Sequence, residues 1–143
     1  MDQTKASYLR GIFERAQFIR SLGIELVAFD EGWCETRVAV TPALEQQHGY
    51  VHAGVLMTLA DHTCGGAAAT MVSEGQDVIT VENKVSFLRP ATGAEVLCRA
   101  VVLRAGKRLI FSEGEVTIER DGKRVVVAKA SSTLAVIPDG STP

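Results

Sequence analysis

The sequence predicts an α+β domain in which one mostly antiparallel, curved β-sheet wraps around a single long helix. Three observations support this class. The chain has 143 residues, which is the size of one domain. A long apolar helical segment, residues 53–72, lies in its middle. Two strand-like runs precede this segment and four follow it, an order that one sheet packed on one helix satisfies.

The first element, residues 1–22, is predicted to be a short amphipathic helix. Its apolar residues recur at spacings of three and four and so mark one helical face. They are Leu9, Ile12, Phe13, Ala16 and Ile19. Gly23 follows as a stop signal.

A β-hairpin is predicted next, because "IELVAFD" and "WCETRVAV" flank the turn signal Glu31-Gly32. After the central helix come "VITVENKVSFLRP", "AEVLCRAVVLRAG", "KRLIFSEGEVTIER" and "KRVVVAKASSTLAVI". Asp121-Gly122 predicts a tight hairpin between the last two strands. Residues 138–143 are expected to form a loose tail, so that residues 1–143 make a single domain.

The central helix is apolar almost all round, which indicates burial on several sides. One curved sheet covers only part of that surface. A second copy of the chain is the simplest partner that could bury the rest, and the sequence therefore predicts a two-fold homodimer.

Composition narrows the possible functions. The formal net charge is −2 and no long block of one sign occurs, which argues against binding to nucleic acid or to acidic membranes. Asp61, His62 and Gly65-Gly66 interrupt the apolar stretch, so a membrane span is not expected. The charged N-terminus lacks the apolar region of a signal peptide. Three widely spaced cysteines argue against a disulfide framework, and we expect a cytoplasmic protein.

Asp61 is the first candidate catalytic residue. It lies about eight residues inside the apolar helix, too deep to be an N-cap, and no Lys or Arg stands three or four positions away. A carboxylate there is costly unless it is paired or protonated. Poor solvation should raise its pKa, which suits a general base or a nucleophile. The alternative is a structural carboxylate that bonds a loop or reaches solvent.

The start of the helix is the second candidate. Residues 49–54 contain no Ser, Thr, Asn or Asp, so the first N–H groups lack an ordinary side-chain cap. Free donors at the positive end of a helix can hold an oxyanion or polarise a carbonyl. Ala53 and Gly54 keep the approach open to a ligand. The alternative is a terminus satisfied by water or capped by His52.

These two candidates cannot serve one small group from the same helix. His52 and Asp61 are nine residues apart, which is roughly 13 Å along a helix and nearly opposite in direction. If both act on one carbonyl, they must come from different subunits. Each of two symmetric sites would then use one helix N-terminus and the partner's Asp61.

Three blocks of sequence carry a family resemblance. "HGYVHAGVLMTLADHTCGGAA", "ENKVSFLRPATG" and "LRAGKRLIFSEGEV" occur in the right order, and the likeness extends over nearly the whole chain. The sequence resembles the PaaI-like acyl-CoA thioesterases of the hotdog fold. The resemblance implies hydrolysis of an acyl-CoA thioester, no cofactor, no metal, and a homodimer that assembles further into a homotetramer.

The resemblance also assigns residues. The family's signature, His-Gly-Gly followed by an acid in the helix, corresponds to His52-Ala53-Gly54 and Asp61; Ala53 departs from the usual Gly. It implies that Gln46, with Gln47 beside it, orients the carbonyl or the water, and that Thr80 positions water. The alternative for Thr80 is an ordinary β-branched strand residue. Residues expected to contact the substrate or coenzyme A are Phe87, Arg89, Arg104, Lys107 and Arg108.

The leading hypothesis is therefore hydrolysis of an aryl- or medium-chain acyl-CoA. The N–H of Ala53, with that of Gly54, would polarise the carbonyl, and Asp61 would activate water or attack directly. His52 would brace the loop. Three alternatives remain: a metal site from His48, His52, Asp61 and His62, a hotdog hydratase or dehydratase that pairs Asp61 with His62, and an acyl-CoA-binding protein without catalysis.

Overall fold

The apolar segment predicted in the middle of the chain forms a 17-residue helix in the computed structural model, which describes residues 1–140. The helices are α1 (Gln3–Arg15), α2 (Gln17–Leu22) and α3 (Ala53–Ala69), with a 3-10 turn at Pro42–Leu44. The strands are β1 (Ile24–Asp30), β2 (Trp33–Ala39), β3 (Gln76–Phe87), β4 (Glu95–Ala105), β5 (Leu109–Arg120) and β6 (Lys123–Pro138).

The six strands form one sheet in the order β1-β2-β4-β5-β6-β3, and every neighbouring pair is antiparallel. Both predicted hairpins are present. Gly32 has a positive φ of 81° in the β1–β2 turn, while Asp121 and Gly122 have φ of 52° and 72° in the β5–β6 turn. Two consecutive positive φ values are typical of the tight turn that matches strand twist.

Helix α3 packs on the inner face of this sheet and builds the core. Its side chains Leu59, Ala60 and Cys64 are fully buried among inward-facing residues of β2, β4 and β5. A hydrogen bond of 2.6 Å between the hydroxyl groups of Thr36 and Thr63 satisfies two buried polar atoms at this interface. The predicted class, one curved antiparallel sheet on a central helix, is confirmed.

The N-terminal segment is two helices, not the single helix predicted for residues 1–22. The chain leaves helical geometry at Ala16, where φ is −76° and ψ is 90°. The break has a packing reason. Phe13 and Ile19 are both buried, yet they would lie about 120° apart around one continuous helix. The bend lets both side chains reach the core.

The central helix ends earlier than predicted, at Ala69 rather than near Val72. The hydroxyl of Thr70 donates to the Ala67 carbonyl and accepts from the Gly32 N–H at 2.8 Å, which fixes the end of the helix against the β1–β2 turn. At the C-terminus, Pro138 is the last residue of β6 and the N–H of Asp139 donates to the Gly75 carbonyl. Residues 141–143 of the predicted tail lie outside the described residues.

Strand β3 is an edge of the sheet, and it carries exposed apolar side chains. Ile79 is 56% exposed and Val81 is 62% exposed. The outer face of the sheet also exposes Leu103, Leu109 and Phe111 on β4 and β5. Within residues 1–140, none of the helices combines the length and the apolar character needed to span a membrane.

Candidate active site

Asp61 projects from α3 towards the edge strand β3, where it meets Thr80. The hydroxyl of Thr80 donates to Asp61 Oδ1 at 2.9 Å. Burial raises the pKa of Asp61 above its ordinary value, and the hydrogen bond from Thr80 offsets part of that rise. The carboxylate is therefore poorly solvated but held in a defined orientation, which is the state expected of a general base.

Two cavities meet at Asp61. A cleft of about 410 Å³ extends from it along α3 and is lined by Phe18, Met57 and Asn83 among others. A smaller cavity of about 120 Å³ lies on the other side, between α3 and β3.

Sequence reasoning did not single out Phe18, Met57 or Asn83. Met57 could have been found from its position one helical turn before Asp61, but no local pattern marks the other two.

The N-terminus of α3 has a side-chain cap, contrary to the expectation of two free donors. Nδ1 of His52 accepts a hydrogen bond of 2.9 Å from the N–H of Gly54. His52 can do this because its extended backbone, φ −60° and ψ 138°, turns the ring back over the first turn. The N–H of Ala53 bonds to no acceptor among residues 1–140. Ala53 is therefore the free donor, and Gly54 is not.

The loop before α3 is organised by Gln46. Its side-chain Oε1 accepts from the N–H groups of His48 and Tyr50, and its backbone N–H donates to the Tyr50 carbonyl at 2.8 Å. The oxygen of Gln46 is thus committed to the loop. The amide nitrogen donates to no acceptor in the described part of the chain and remains available to a ligand.

A groove of about 500 Å³ surrounds the N-terminus of α3. It brings together six of the residues predicted from the sequence, which are Gln46, Gln47, His52, Ala53, Phe87 and Arg89. Arg89 is fixed at the rim because its Nη1 donates to the Val126 carbonyl at 2.7 Å. An anionic or carbonyl-containing ligand entering this groove would meet backbone and side-chain donors and one cation.

Within one chain this groove and Asp61 are separate sites. Ala53 and Asp61 are eight residues apart, or about 12 Å along the helix. The N–H of Ala53 also points along the axis away from Asp61, as N–H groups at a helix start do. The described chain therefore holds two half-sites in different cavities, and no single substrate carbonyl contacts both.

Three predicted basic residues lie elsewhere. Arg104 is near the end of β4, and Lys107 and Arg108 are in the turn between β4 and β5. Lys107 borders a cavity with Met71, just beyond the end of α3, so these residues lie at the opposite end of the helix from Ala53. The structure does not bring them together with the groove in one chain.

His62 borders both cavities that meet at Asp61, but its ring packs against α1. Its ring contacts Phe13 of α1 edge-to-face, with centroids 4.5 Å apart, and its Nε2 is buried with no hydrogen-bond partner among residues 1–140. Burial lowers the pKa of His62 to about 4. The neutral ring packs against Phe13, and no hydrogen bond joins it to Asp61 within residues 1–140.

Metal and thiol chemistry find no support in the described geometry. No three side chains of His, Cys, Asp or Glu within residues 1–140 lie close enough to share a metal ion, so the alternative site from His48, His52, Asp61 and His62 has no ligand set in one chain. The three cysteines, Cys34, Cys64 and Cys98, are buried and unpaired, and burial raises the pKa of each thiol.

Comparison with known proteins places these features in a family. Residues 48–125, more than half of the chain, match the family described as the Thioesterase superfamily. The matched segment contains α3, β3, β4 and β5, and with them Ala53, Asp61 and Thr80.

Individual proteins agree with this match. A thioesterase family protein from Silicibacter pomeroyi is 34% identical, with a TM-score of 0.91 over 94% of this chain and 98% of that one. The 1,4-dihydroxy-2-naphthoyl-CoA hydrolase of Listeria monocytogenes is 28% identical over 71% of this chain and 82% of its own length. The PaaI protein of the E. coli phenylacetic acid degradation operon, 23% identical, shares the fold with a TM-score of 0.82 over 93% of each chain.

Proposed function

The chain belongs to the thioesterase superfamily, and from its site we propose that it hydrolyses an acyl-CoA with Asp61 as the catalytic carboxylate. The resemblance to PaaI-like hotdog thioesterases is confirmed, and thioester hydrolysis follows at the level of the family. The observation that supports the role of Asp61 most is its position: a half-buried carboxylate of raised pKa, oriented by Thr80, at the junction of two cavities.

The first step is polarisation of the thioester carbonyl at the N-terminus of α3. The free N–H of Ala53 lies at the positive end of a 17-residue helix, where developing negative charge on oxygen is stabilised. The amide nitrogen of Gln46, whose oxygen is held by the loop, supplies a second donor in the same groove. His52 braces this terminus through its bond to Gly54.

The second step is attack on the carbonyl carbon. Asp61 accepts a proton from water as the water oxygen bonds to that carbon, the C–S bond breaks, and coenzyme A leaves as the thiolate, which is then protonated. Direct attack by Asp61 would give an anhydride that water cleaves to the same acid. Both routes need an ionised Asp61 and a hydroxyl at Thr80 that fixes its orientation.

A complete site needs two chains, because the half-sites are far apart in one. The unpaired edge of β3 and its exposed apolar residues suit pairing with a second copy. A two-fold axis between Asn83 and Lys84 would set Thr80 of one β3 opposite Phe87 of the other. Each Asp61 would then approach the partner's groove.

Coenzyme A would enter through that groove. Arg89 is the cation placed to meet its phosphates, while Gln47 and Phe87 line the way in. Arg104, Lys107 and Arg108 would contribute only from another subunit of a tetramer formed through the exposed outer face of the sheet. Coenzyme A is part of the substrate, so the reaction needs no further cofactor. The unpaired cysteines favour a reducing compartment such as the cytoplasm.

Thiol release from a panel of acetyl-, butanoyl-, benzoyl- and dodecanoyl-CoA tests this function. We expect turnover on at least one ester and a fall in kcat of about 10²-fold or more in Asp61→Asn and Asp61→Ala. Near-normal kcat in both variants would overturn the role of Asp61. Tight binding without thiol release across the panel would favour a binding protein, and hydration of an enoyl-CoA would favour a hydratase.

A further inference from the structure

Two adjacent glycines in α3 have different surroundings. A Cβ added at Gly66 would lie 2.9 Å from Sγ of Cys34 and 3.4 Å from the ring of Phe13. Close packing therefore requires glycine at position 66. A Cβ added at Gly65 would meet only Cδ2 of Leu134, at an ordinary contact distance of 3.9 Å. Glycine is the least favourable residue after proline inside a helix, and packing does not explain its presence at position 65.

Gly65 faces the smaller cavity beside Asp61. The two residues are four apart and so lie on the same face of α3. Apolar side chains of Ile12, Val78 and Leu134 form other walls of this cavity, whose volume is about 120 Å³. The polar side chains of His62 and Asp77 also line it. Thr80 pairs with Leu134 across β3 and β6, which places the hydroxyl that orients Asp61 next to the apolar wall.

We propose that Gly65 keeps this cavity open for the acyl group of the substrate and so determines which acyl groups are hydrolysed. The inference rests on the proposed function, because the cavity is an acyl site only if the thioester carbon lies at Asp61. The chain or ring of the acyl group is the part of the substrate directly attached to that carbon. A missing side chain one helical turn beyond Asp61 provides the space that it needs.

The size of the cavity selects the substrate class. An apolar cavity of about 150 Å³ in another protein takes up benzene. A volume of about 120 Å³ therefore fits one ring or a short aliphatic chain, whereas a long fatty acyl chain would have to extend beyond this cavity. Acyl-CoA esters with a compact acyl group are the substrates that this geometry favours.

Gly65→Ala tests the inference, with Gly11→Ala as the matched control. Both changes replace a helical glycine by alanine and should raise the melting temperature. The Cβ at position 11 meets only the flexible Arg15 guanidinium and adds nothing to the cavity. We expect Gly65→Ala to lower kcat/KM on benzoyl-CoA by about tenfold or more and to leave acetyl-CoA within about twofold. Gly11→Ala should preserve the parent's ratio of kcat/KM on benzoyl-CoA to kcat/KM on acetyl-CoA.

Two results would overturn the inference: an unchanged benzoyl-to-acetyl ratio in Gly65→Ala, or a parent protein that hydrolyses dodecanoyl-CoA as well as benzoyl-CoA. If the parent hydrolyses no ester, the proposed function fails, and binding of non-hydrolysable thioether analogues decides the inference instead. If Gly65→Ala weakens binding of the ring-containing analogue and of no smaller analogue, the result would support the acyl cavity. Equal binding of that analogue by parent and variant would refute it.

Discussion

Thr80 on the edge strand β3 holds the carboxylate of Asp61 on α3 through a hydrogen bond of 2.9 Å. This contact joins the catalytic candidate of the central helix to the strand that is free to pair with another chain. The orientation of Asp61 therefore depends on the position of β3. In the proposed function Thr80 is a positioning residue, since it would act on the reaction through Asp61.

Replacing Thr80 by Val should lower activity and shift its pH dependence. The hydroxyl stabilises the ionised carboxylate, so its removal raises the pKa of Asp61 further. A base must be deprotonated to act, and the acid limb of the kcat/KM profile should move to higher pH. We expect a loss of about tenfold in kcat at neutral pH. Thr80→Ser should restore both properties, and an unshifted profile in Thr80→Val would contradict this role.

Ala53→Pro removes one backbone donor without removing a side-chain contact. Proline is well accepted at the first position of a helix, and the extended backbone of His52 is the conformation that a following proline prefers. If the N–H of Ala53 polarises the carbonyl, kcat should fall by about 10²-fold or more while the melting temperature is preserved. Ala53→Gly keeps the N–H and should remain active. Equal activity in the proline and glycine variants would exclude this donor.

Gln46→Glu separates the two functions of the Gln46 side chain. A carboxylate oxygen can still accept from His48 and Tyr50 and so preserve the loop. It cannot donate to a carbonyl, and its charge opposes a developing oxyanion. We expect a loss in kcat of about tenfold or more, whereas Gln47→Glu, with the same charge change in the same groove, should chiefly raise KM. Similar kcat losses in both variants would point to charge alone.

His62 should make the fold less stable in acid. Its pKa is about 4 in the folded chain against roughly 6.5 when unfolded. Below pH 6.5 the unfolded chain therefore takes up a proton that the folded chain does not, and stability falls until about pH 4. The expected loss is about 2 to 3 kcal/mol.

Urea unfolding of the parent and of His62→Gln, at pH 7.5 and pH 4.5 and at one protein concentration, measures this loss. The comparison with the variant is needed because the raised pKa of Asp61 acts with the opposite sign. The parent should lose more stability than His62→Gln between the two pH values. Parallel losses would show that His62 is not the titrating group.

The succession of strands and helices along the chain, both hairpins and the start of α3 were predictable because each has a local signal. Asp121-Gly122 determines its own turn, and the periodic apolar residues identify α3. Asp61 could be identified as a candidate because an acid without a local cation is conspicuous in an apolar helix. The resemblance supplied Thr80, and its contact with Asp61 depends on a tertiary pairing across 19 positions of the chain.

The remaining features depend on contacts that no local pattern contains. The bend at Ala16 arises because two side chains must reach one core. The cap on Gly54 depends on the ring orientation of His52, which sequence reasoning could offer only as an alternative. The different roles of Gly65 and Gly66 become visible only when Leu134, Cys34 and Phe13 are in place around them.

Subunit complementation tests the central claim, that each site combines the α3 N-terminus of one chain with Asp61 of another. Chains carrying Ala53→Pro and chains carrying Asp61→Asn are each expected to be inactive alone. A mixed dimer has one site with both changes and one site with neither. Random mixing should therefore restore about a quarter of the parent activity. If the mixture, shown by mass to contain hybrid dimers, stays as inactive as its components, the shared site is contradicted.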